Sequence, residues 1–344
     1  MNKTIVLNKR RVLLWLTAMA ALLATGVVVM VVGNDYRIDE RRVRIPSATG
    51  SLDAVLAAPR DQRARGLIVM IHGDGPIEAT HEGLYRPWFE AAADAGFATL
   101  SWSKPGVGGS SGSWFDQSMD DRAAEAGSAI DWARGRPDVP RGPVVLWGAS
   151  QAGWVLPKVA ASRDDIDAIV AVSPAINWLA QGRFNLLAEL DDDHATAEER
   201  DRAIAVSDQT RQLLADNAGY DAYRAATGNP EPMTAERWEF VKRNYRSDAT
   251  ADLPAIRDKH IPVLLMLGEH DRNVDTAETA ATYRQVLGDG VTVERFNATH
   301  SMAKPAMERS LSLGWATAIF WPRALLADGV RQTYRTYLEA HSKG

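Results

Sequence analysis

The sequence predicts an α/β fold: an open, mostly parallel sheet with helices on both faces, led by an antiparallel hairpin and interrupted late by a helical insertion. Three observations carry this prediction. Segments 66–73 (GLIVMIHG), 97–103 (FATLSWS), 142–148 (GPVVLWG), 166–173 (IDAIVAVS) and 261–268 (IPVLLMLG) are near-continuous apolar runs of strand length, the pattern of parallel strands buried on both faces. Between them, 86–95, 117–134, 151–162 and 276–287 read as helices, and strand alternating with helix gives crossover units wound on both sides of one sheet. Ahead of them, VRIPS and LDAVLAAP put apolar residues at alternate positions (Val43, Ile45; Leu52, Ala54, Leu56) around SATGS, a hairpin with one buried face.

In chain order, the N-terminal segment comes first. Lys3, Lys9, Arg10 and Arg11 precede the uncharged run Val12 to Val32. As a helix that run is about 30 Å long, the thickness of a hydrocarbon core. A cleavable signal is the competing reading, with small residues at Ala18 to Ala20 and a twin-arginine cue at Arg10 and Arg11, but the apolar run continues past every plausible cut. The favoured reading is an uncleaved transmembrane helix over 1–33. The leading cations favour a cytoplasmic N-terminus and a catalytic body exported to the periplasm or outside, secreted if the segment is cleaved. The sheet and its helices then occupy 34–174 and 254–344. The interval 175–253 is too long for a simple crossover; it contains helical stretches such as 234–246, where Thr234 can cap and Trp238, Val241 and Tyr245 recur on one face. It reads as a helical lid.

Composition narrows the function. With a formal net charge of -5 there is no pull towards nucleic acid, and with no cysteine there is neither disulfide nor thiolate metal site. Chemistry is concentrated at a few places. In VVLWGASQAGW, Ser150 directly follows a strand and precedes a helix, with Gly148, Ala152 and Gly153 as small neighbours. That is the G-x-S-x-G nucleophile elbow with alanine in its last place: a sharp turn that exposes a hydroxyl at a helix N-terminus. A serine hydroxyl needs a base, and the base needs a partner to fix its tautomer. Asp271, in the loop after the strand ending LLMLG, and His300, in the loop after VTVERF, occupy the positions for acid and base. Asp275 is the reserve acid. His270 adjoins the proposed acid, His260 precedes its strand, His341 falls in a terminal helix and His194 lies in the acidic run LDDDHATAEE; each is a poorer base. A metal site at Glu269, His270 and Asp271 would need adjacent side chains to converge, and no H-E-x-x-H helix is present. The oxyanion hole needs one N–H after the serine, which Gln151 supplies, and one from the loop IHGDGP, which Asp74 supplies between Gly73 and Gly75. His72 in that loop reads as a structural hydrogen-bonding residue.

These motifs, in order LDAVLAAP, MIHGDGP, SWSKPGVGGSSG, GASQAGWVLP, LGEHDRNV and NATHSM, resemble the α/β-hydrolase superfamily, specifically bacterial serine hydrolases of the esterase and serine aminopeptidase-like type. The resemblance covers most of Leu52 to Met302 outside the insertion. It implies the α/β-hydrolase fold and an esterase or peptidase with a Ser150–His300–Asp271 triad and no cofactor. Two positions depart from the family pattern: Asp74 stands where the loop usually has serine, so its carboxylate must turn away from the oxyanion, and Ser103 stands where aspartate is common.

The expected function is therefore hydrolysis of a carboxylic ester or related acyl bond in a small-molecule or peptide substrate, through an acyl-enzyme, by a protein held to the membrane by its N-terminal helix. Aminopeptidase-like cleavage, with Asp191, Asp192 and Asp193 recognising a substrate ammonium, and acyl transfer are the enzymatic alternatives. A membrane-anchored binding module that keeps the fold without the chemistry is the non-enzymatic one. Pro157 is expected in the second turn of the helix behind the elbow, kinking it.

Overall fold

The computed structural model describes residues 9–342; Lys3 lies outside them. The chain opens with helix α1 (Lys9–Asn34), whose stretch Leu13–Asn34 is long and apolar enough to cross a membrane and is almost wholly exposed. Strands β1 (Ile38–Ser47) and β2 (Gly50–Pro59) then pair antiparallel, with Ser47 opposite Gly50, so the hairpin turns over Ala48 and Thr49 alone. Ile45, Leu52, Ala54 and Leu56 are buried on one face, as the alternation predicts, but Val55 and Ala57 are buried on the other, because β2 is paired on both sides and covered on both faces.

Strands β3 (Gly66–Ile71), β4 (Phe97–Trp102), β5 (Val144–Ala149), β6 (Ala168–Val172), β7 (Val263–Gly268) and β8 (Val291–Phe296) complete one eight-stranded sheet in the order β1-β2-β4-β3-β5-β6-β7-β8. β2 joins β4 antiparallel and every later pairing is parallel. The continuous apolar runs are the central strands, buried on both faces; β8 at the edge is only partly buried, which is why VTVERF alternates.

The sheet divides the core. Leu67, Val69 and Ile71 point to the side covered by α3 (Met119–Arg134), α4 (Leu156–Ser162) and, further along the chain, the helix of residues 276–287, while Ile68 and Met70 point to α2 (Arg86–Asp94) and the C-terminal helix of residues 330–340. Between β6 and β7 come α5 (Trp178–Asp192), α6 (Ala197–Ala215), α7 (Tyr220–Ala226), α8 (Ala235–Asn244) and α9 (Leu253–Asp258). Thr234 caps α8 by accepting from the Arg237 N–H, and Trp238, Val241 and Tyr245 are buried. After them lie α10 (Thr276–Leu287), α11 (Pro305–Arg309), α12 (Leu311–Phe320) and α13 (Val330–Ala340).

One local expectation is overturned. The segment behind the elbow is a 3₁₀ turn over Ser150–Trp154 followed by α4, which begins at Leu156, so Pro157 sits in the first turn of its helix. A missing N–H there costs nothing, because first-turn N–H groups have no intrahelical acceptor; the proline starts the helix instead of kinking it.

Candidate active site

Ser150 stands where β5 ends, with φ of +54°, a region that residues other than glycine rarely enter. Holding it there costs on the order of 1–3 kcal/mol, which the packing around the turn must offset. That packing explains each small neighbour. A Cβ on Gly148 would stand 2.9 Å from the Ala152 Cβ and 3.0 Å from the Leu156 side chain, and one on Gly153 would meet the Ala175 backbone at 2.5 and 2.8 Å. Glycine is thus required at 148 and 153. Ala152 is fully buried and is not among the residues of positive φ, so its methyl fills the space over Gly148 without backbone strain. Across from the elbow, Gly73 comes close: a Cβ there would lie 3.3 Å from the Ser150 Cβ. The loop after β3 is therefore packed against the serine.

Asp271 follows β7 and His300 follows β8, and adjacent parallel strands place both loops at the same, C-terminal edge of the sheet. His300 Nδ1 lies 2.8 Å from Asp271 Oδ2. The other carboxylate oxygen accepts from the Asn273 and Val274 N–H groups at 2.8 and 2.9 Å, and the Asp271 side chain is fully buried. An ionised carboxylate only accepts, so Nδ1 carries the proton and Nε2 is left as the basic nitrogen. Helix α5 braces this loop, since Gln181 donates to the Asn273 carbonyl at 2.8 Å and Asn185 to that of Arg272 at 3.3 Å.

The remaining candidates are engaged or placed elsewhere. Asp275 caps α10, accepting from the Ala277 and Glu278 N–H groups. His270 pairs with the Asn297 side chain at 2.8 Å. His260 is exposed before β7, at the opposite edge of the sheet from the elbow; His194 is exposed beyond α5; and His341 pairs with the Tyr337 carbonyl. Asp191 and Asp192 are ion-paired with Arg200 and Arg272, and Asp193 caps the end of α5.

Around the loop after β3 lies a polar network. Arg122, buried on α3, donates to the Gln151 side-chain oxygen at 2.6 Å and to the His72 carbonyl at 2.5 Å. Lys104, also buried, donates to the Gly73 carbonyl at 2.5 Å. Gln151 in turn donates to Asp74 Oδ1 at 3.0 Å, and Arg237 of α8 grips the same carboxylate with both terminal nitrogens, at 2.9 and 2.5 Å. The carboxylate of Asp74 is thereby committed to side-chain partners. Burial alone would raise its pKa, but the hydrogen bond and charge of Arg237 outweigh that and hold it below the usual aspartate value. His72 is buried against Tyr85 and bonds Ser101 at 3.2 Å; burial, with the charges of Lys104 and Arg122, pushes its pKa well below the histidine norm, so the ring is neutral.

Arg122, Lys104 and Arg237 escape sequence reasoning. Arg122 left a trace: it occupies the stripe Met119, Arg122, Ala123, Ala126, Ile130 that α3 buries, where an unpaired arginine would be expensive. Arg237 left none.

A mostly parallel sheet with a strained serine after β5 and an aspartate–histidine pair after β7 and β8 defines an α/β-hydrolase. A family model described as serine aminopeptidase, S33, matches residues 62–303, and the chain belongs to that family and so to the serine hydrolases. Solved structures agree on the fold. The esterase Pf2001 of Pyrococcus furiosus superposes with a TM-score of 0.51 at 15% identity, covering 83% of this chain and 90% of that one. Est1E of Butyrivibrio proteoclasticus, solved with ferulic acid bound, gives 0.52 at 17%, covering 87% and 96%. The acylaminoacyl peptidase of Pyrococcus horikoshii gives 0.50 at 16%, covering 88% of this chain and 41% of that one. Among curated proteins, an uncharacterized protein of Rickettsia prowazekii (strain Madrid E) is 29% identical over 100 residues, which is 29% of this chain and 41% of that protein. The match thus spans less than half the length of that relative.

Proposed function

We propose that the protein is a membrane-anchored serine hydrolase that cleaves a carboxylic ester or related acyl bond, without cofactor, in a small-molecule or peptide substrate. Ser150 Oγ attacks the carbonyl while His300 Nε2 takes its proton; Asp271 orients the ring and stabilises the imidazolium that forms. The Gln151 and Asp74 N–H groups hold the oxyanion, His300 returns the proton to the leaving group, and water resolves the acyl-enzyme by the same route. Residues 175–253 act as the lid over the elbow, the sheet domain comprising 34–174 and 254–344, and α1 anchors the exported body.

The observation that carries this reading is the 2.8 Å bond between His300 Nδ1 and the fully buried Asp271, on the sheet edge where Ser150 is forced to positive φ. Replacing Ser150→Ala should lower kcat for a p-nitrophenyl ester by about 10,000-fold or more, as loss of a triad nucleophile does. It should also abolish labelling by a fluorophosphonate. Undiminished turnover would remove the assignment, and a wild-type chain that takes no label would make the protein a binding module. The family's description as an aminopeptidase favours one second reading, cleavage of an N-terminal peptide bond; faster turnover of aminoacyl anilides than of short-chain esters would select it.

A further inference from the structure

Helix α12 is out of place in a water-soluble body. Its ten residues, LSLGWATAIF, carry no charge and none is buried. Leu311 is 73% exposed and Trp315 65%, and with Ile319 they form a stripe at four-residue spacing on one face. Beyond α1, the large exposed apolar side chains among the described residues are Leu84 and those of 311–321. An apolar helix without a buried face is accounted for by a partner or a bilayer.

The contacts of α12 point to the bilayer. Asn34, at the end of α1, donates to the Ile319 carbonyl at 2.8 Å, and Arg323 donates to the Gly33 and Asp35 carbonyls at 2.5 and 2.7 Å. Gly33 has no room for a side chain because the Phe320 carbonyl lies against it, and a Cβ on Gly26 would meet the Phe320 ring at 3.9 Å. From Gly33 back to Gly26 is about 10 Å along α1. The end of α12 is thus fixed beside the last two turns of the apolar helix, at a depth that a membrane containing α1 would also occupy. Trp315 and Trp321 supply the aromatic residues favoured where hydrocarbon meets headgroups.

We propose that α12 inserts into the lipid bilayer beside α1, so that the catalytic body is held to the membrane at two points and its orientation is fixed by the second. The proposal rests on the reading of α1 as a membrane segment. The chain has no cysteine, so single cysteines report without background. The full chain would be reconstituted into phosphatidylcholine and phosphatidylglycerol vesicles bearing an environment-sensitive NBD label at Leu311→Cys, Leu22→Cys or Asp289→Cys, with circular dichroism to show that each variant is folded. Labels at 311 and 22 should emit to the blue of the label at 289, lose fluorescence to nitroxide-bearing lipids and resist aqueous iodide. If the 311 label behaves as the 289 label does while the 22 label sits in lipid, the proposal fails and the anchor stands; if both behave as 289, the anchor fails as well. A 311 label shielded from lipid and iodide alike, and self-quenching as protein density rises, would show that a second copy covers α12 and would also overturn it.

Discussion

Two carboxylates gripped by arginine organise this molecule, and they are built differently. Glu90, on α2, is 3% exposed and is held by Arg323 at 2.7 and 2.8 Å and by Arg331 at 2.7 Å, with the Arg37 N–H at 3.3 Å. Asp74, in the loop after β3, is 40% exposed and is held by Arg237 and Gln151. The first ties the exit of α1 to the helices over one sheet face; all its partners belong to segments docked on the core. The second joins the loop beside Ser150 to a helix of the interval between β6 and β7. Burial decides what each is worth. An ion pair in deep cover is costly to break because the survivor is stranded, whereas a half-exposed pair contributes little to stability and acts through the geometry it imposes.

The largest effect should come from breaking the buried one. Glu90→Ala leaves Arg323 and Arg331, themselves partly exposed, without their shared counter-charge and should cost about 2–3 kcal/mol of unfolding free energy, read by chemical denaturation. Ester hydrolysis by the protein that remains folded should be unchanged; a stability loss under about 1 kcal/mol would show that water replaces the carboxylate.

Acid should separate the two regions in pH. Burial holds the His72 pKa well below 6.5 in the folded protein, so below 6.5 the unfolded chain binds a proton that the native state refuses. Stability must then fall with pH by up to about 1.4 kcal/mol per unit from this group. His81, whose pKa burial also lowers, adds in the same direction. Burial of Glu90 acts to raise its pKa, but Arg323 and Arg331 bring it below 4.5, so its contribution is complete above 4.5 and is lost only as pH falls through the lower folded value. Between 6.5 and 4.5 the packing around His72 should therefore weaken while the Glu90 pairs do not. Titrating His72→Gln by denaturation should give a shallower acid slope in that window; an unchanged slope would place the acid sensitivity elsewhere.

This contrast also marks what the sequence reveals. The strands were legible because parallel strands need apolar residues on both faces, and the hairpin because Ile45, Leu52, Ala54 and Leu56 alternate, although Val55 and Ala57 bury the other face of β2 as well. The loops bearing Asp271 and His300 could be located because each directly follows such a strand. Asp74 stood out as a departure from its family's loop pattern, but its partner is 163 residues away, on a helix whose placement no local pattern encodes. Pro157 was misread for a related reason: the elbow spends its first residues in a 3₁₀ turn, and a count from Ser150 places the helix start too early.

The smallest effect, and the most discriminating, concerns the exposed latch. Arg237→Ala should change unfolding free energy by no more than about 1 kcal/mol, as exposed pairs do. In catalysis it should matter differently, because under the proposed role of the Asp74 N–H the freed carboxylate is then held only by Gln151 and the Gly75 N–H, next to a developing negative charge. A loss of about fivefold in kcat is expected, equivalent to about 1 kcal/mol of transition-state stabilisation. Asp74→Asn retains the backbone N–H and removes the charge, so in the Arg237→Ala background it should restore kcat while leaving stability where it was. The double-mutant cycle isolates that coupling. Additive losses would mean that Arg237 serves only to pack α8, over Trp114 and Phe240, where its guanidinium lies 5.8 and 5.1 Å from the ring centres.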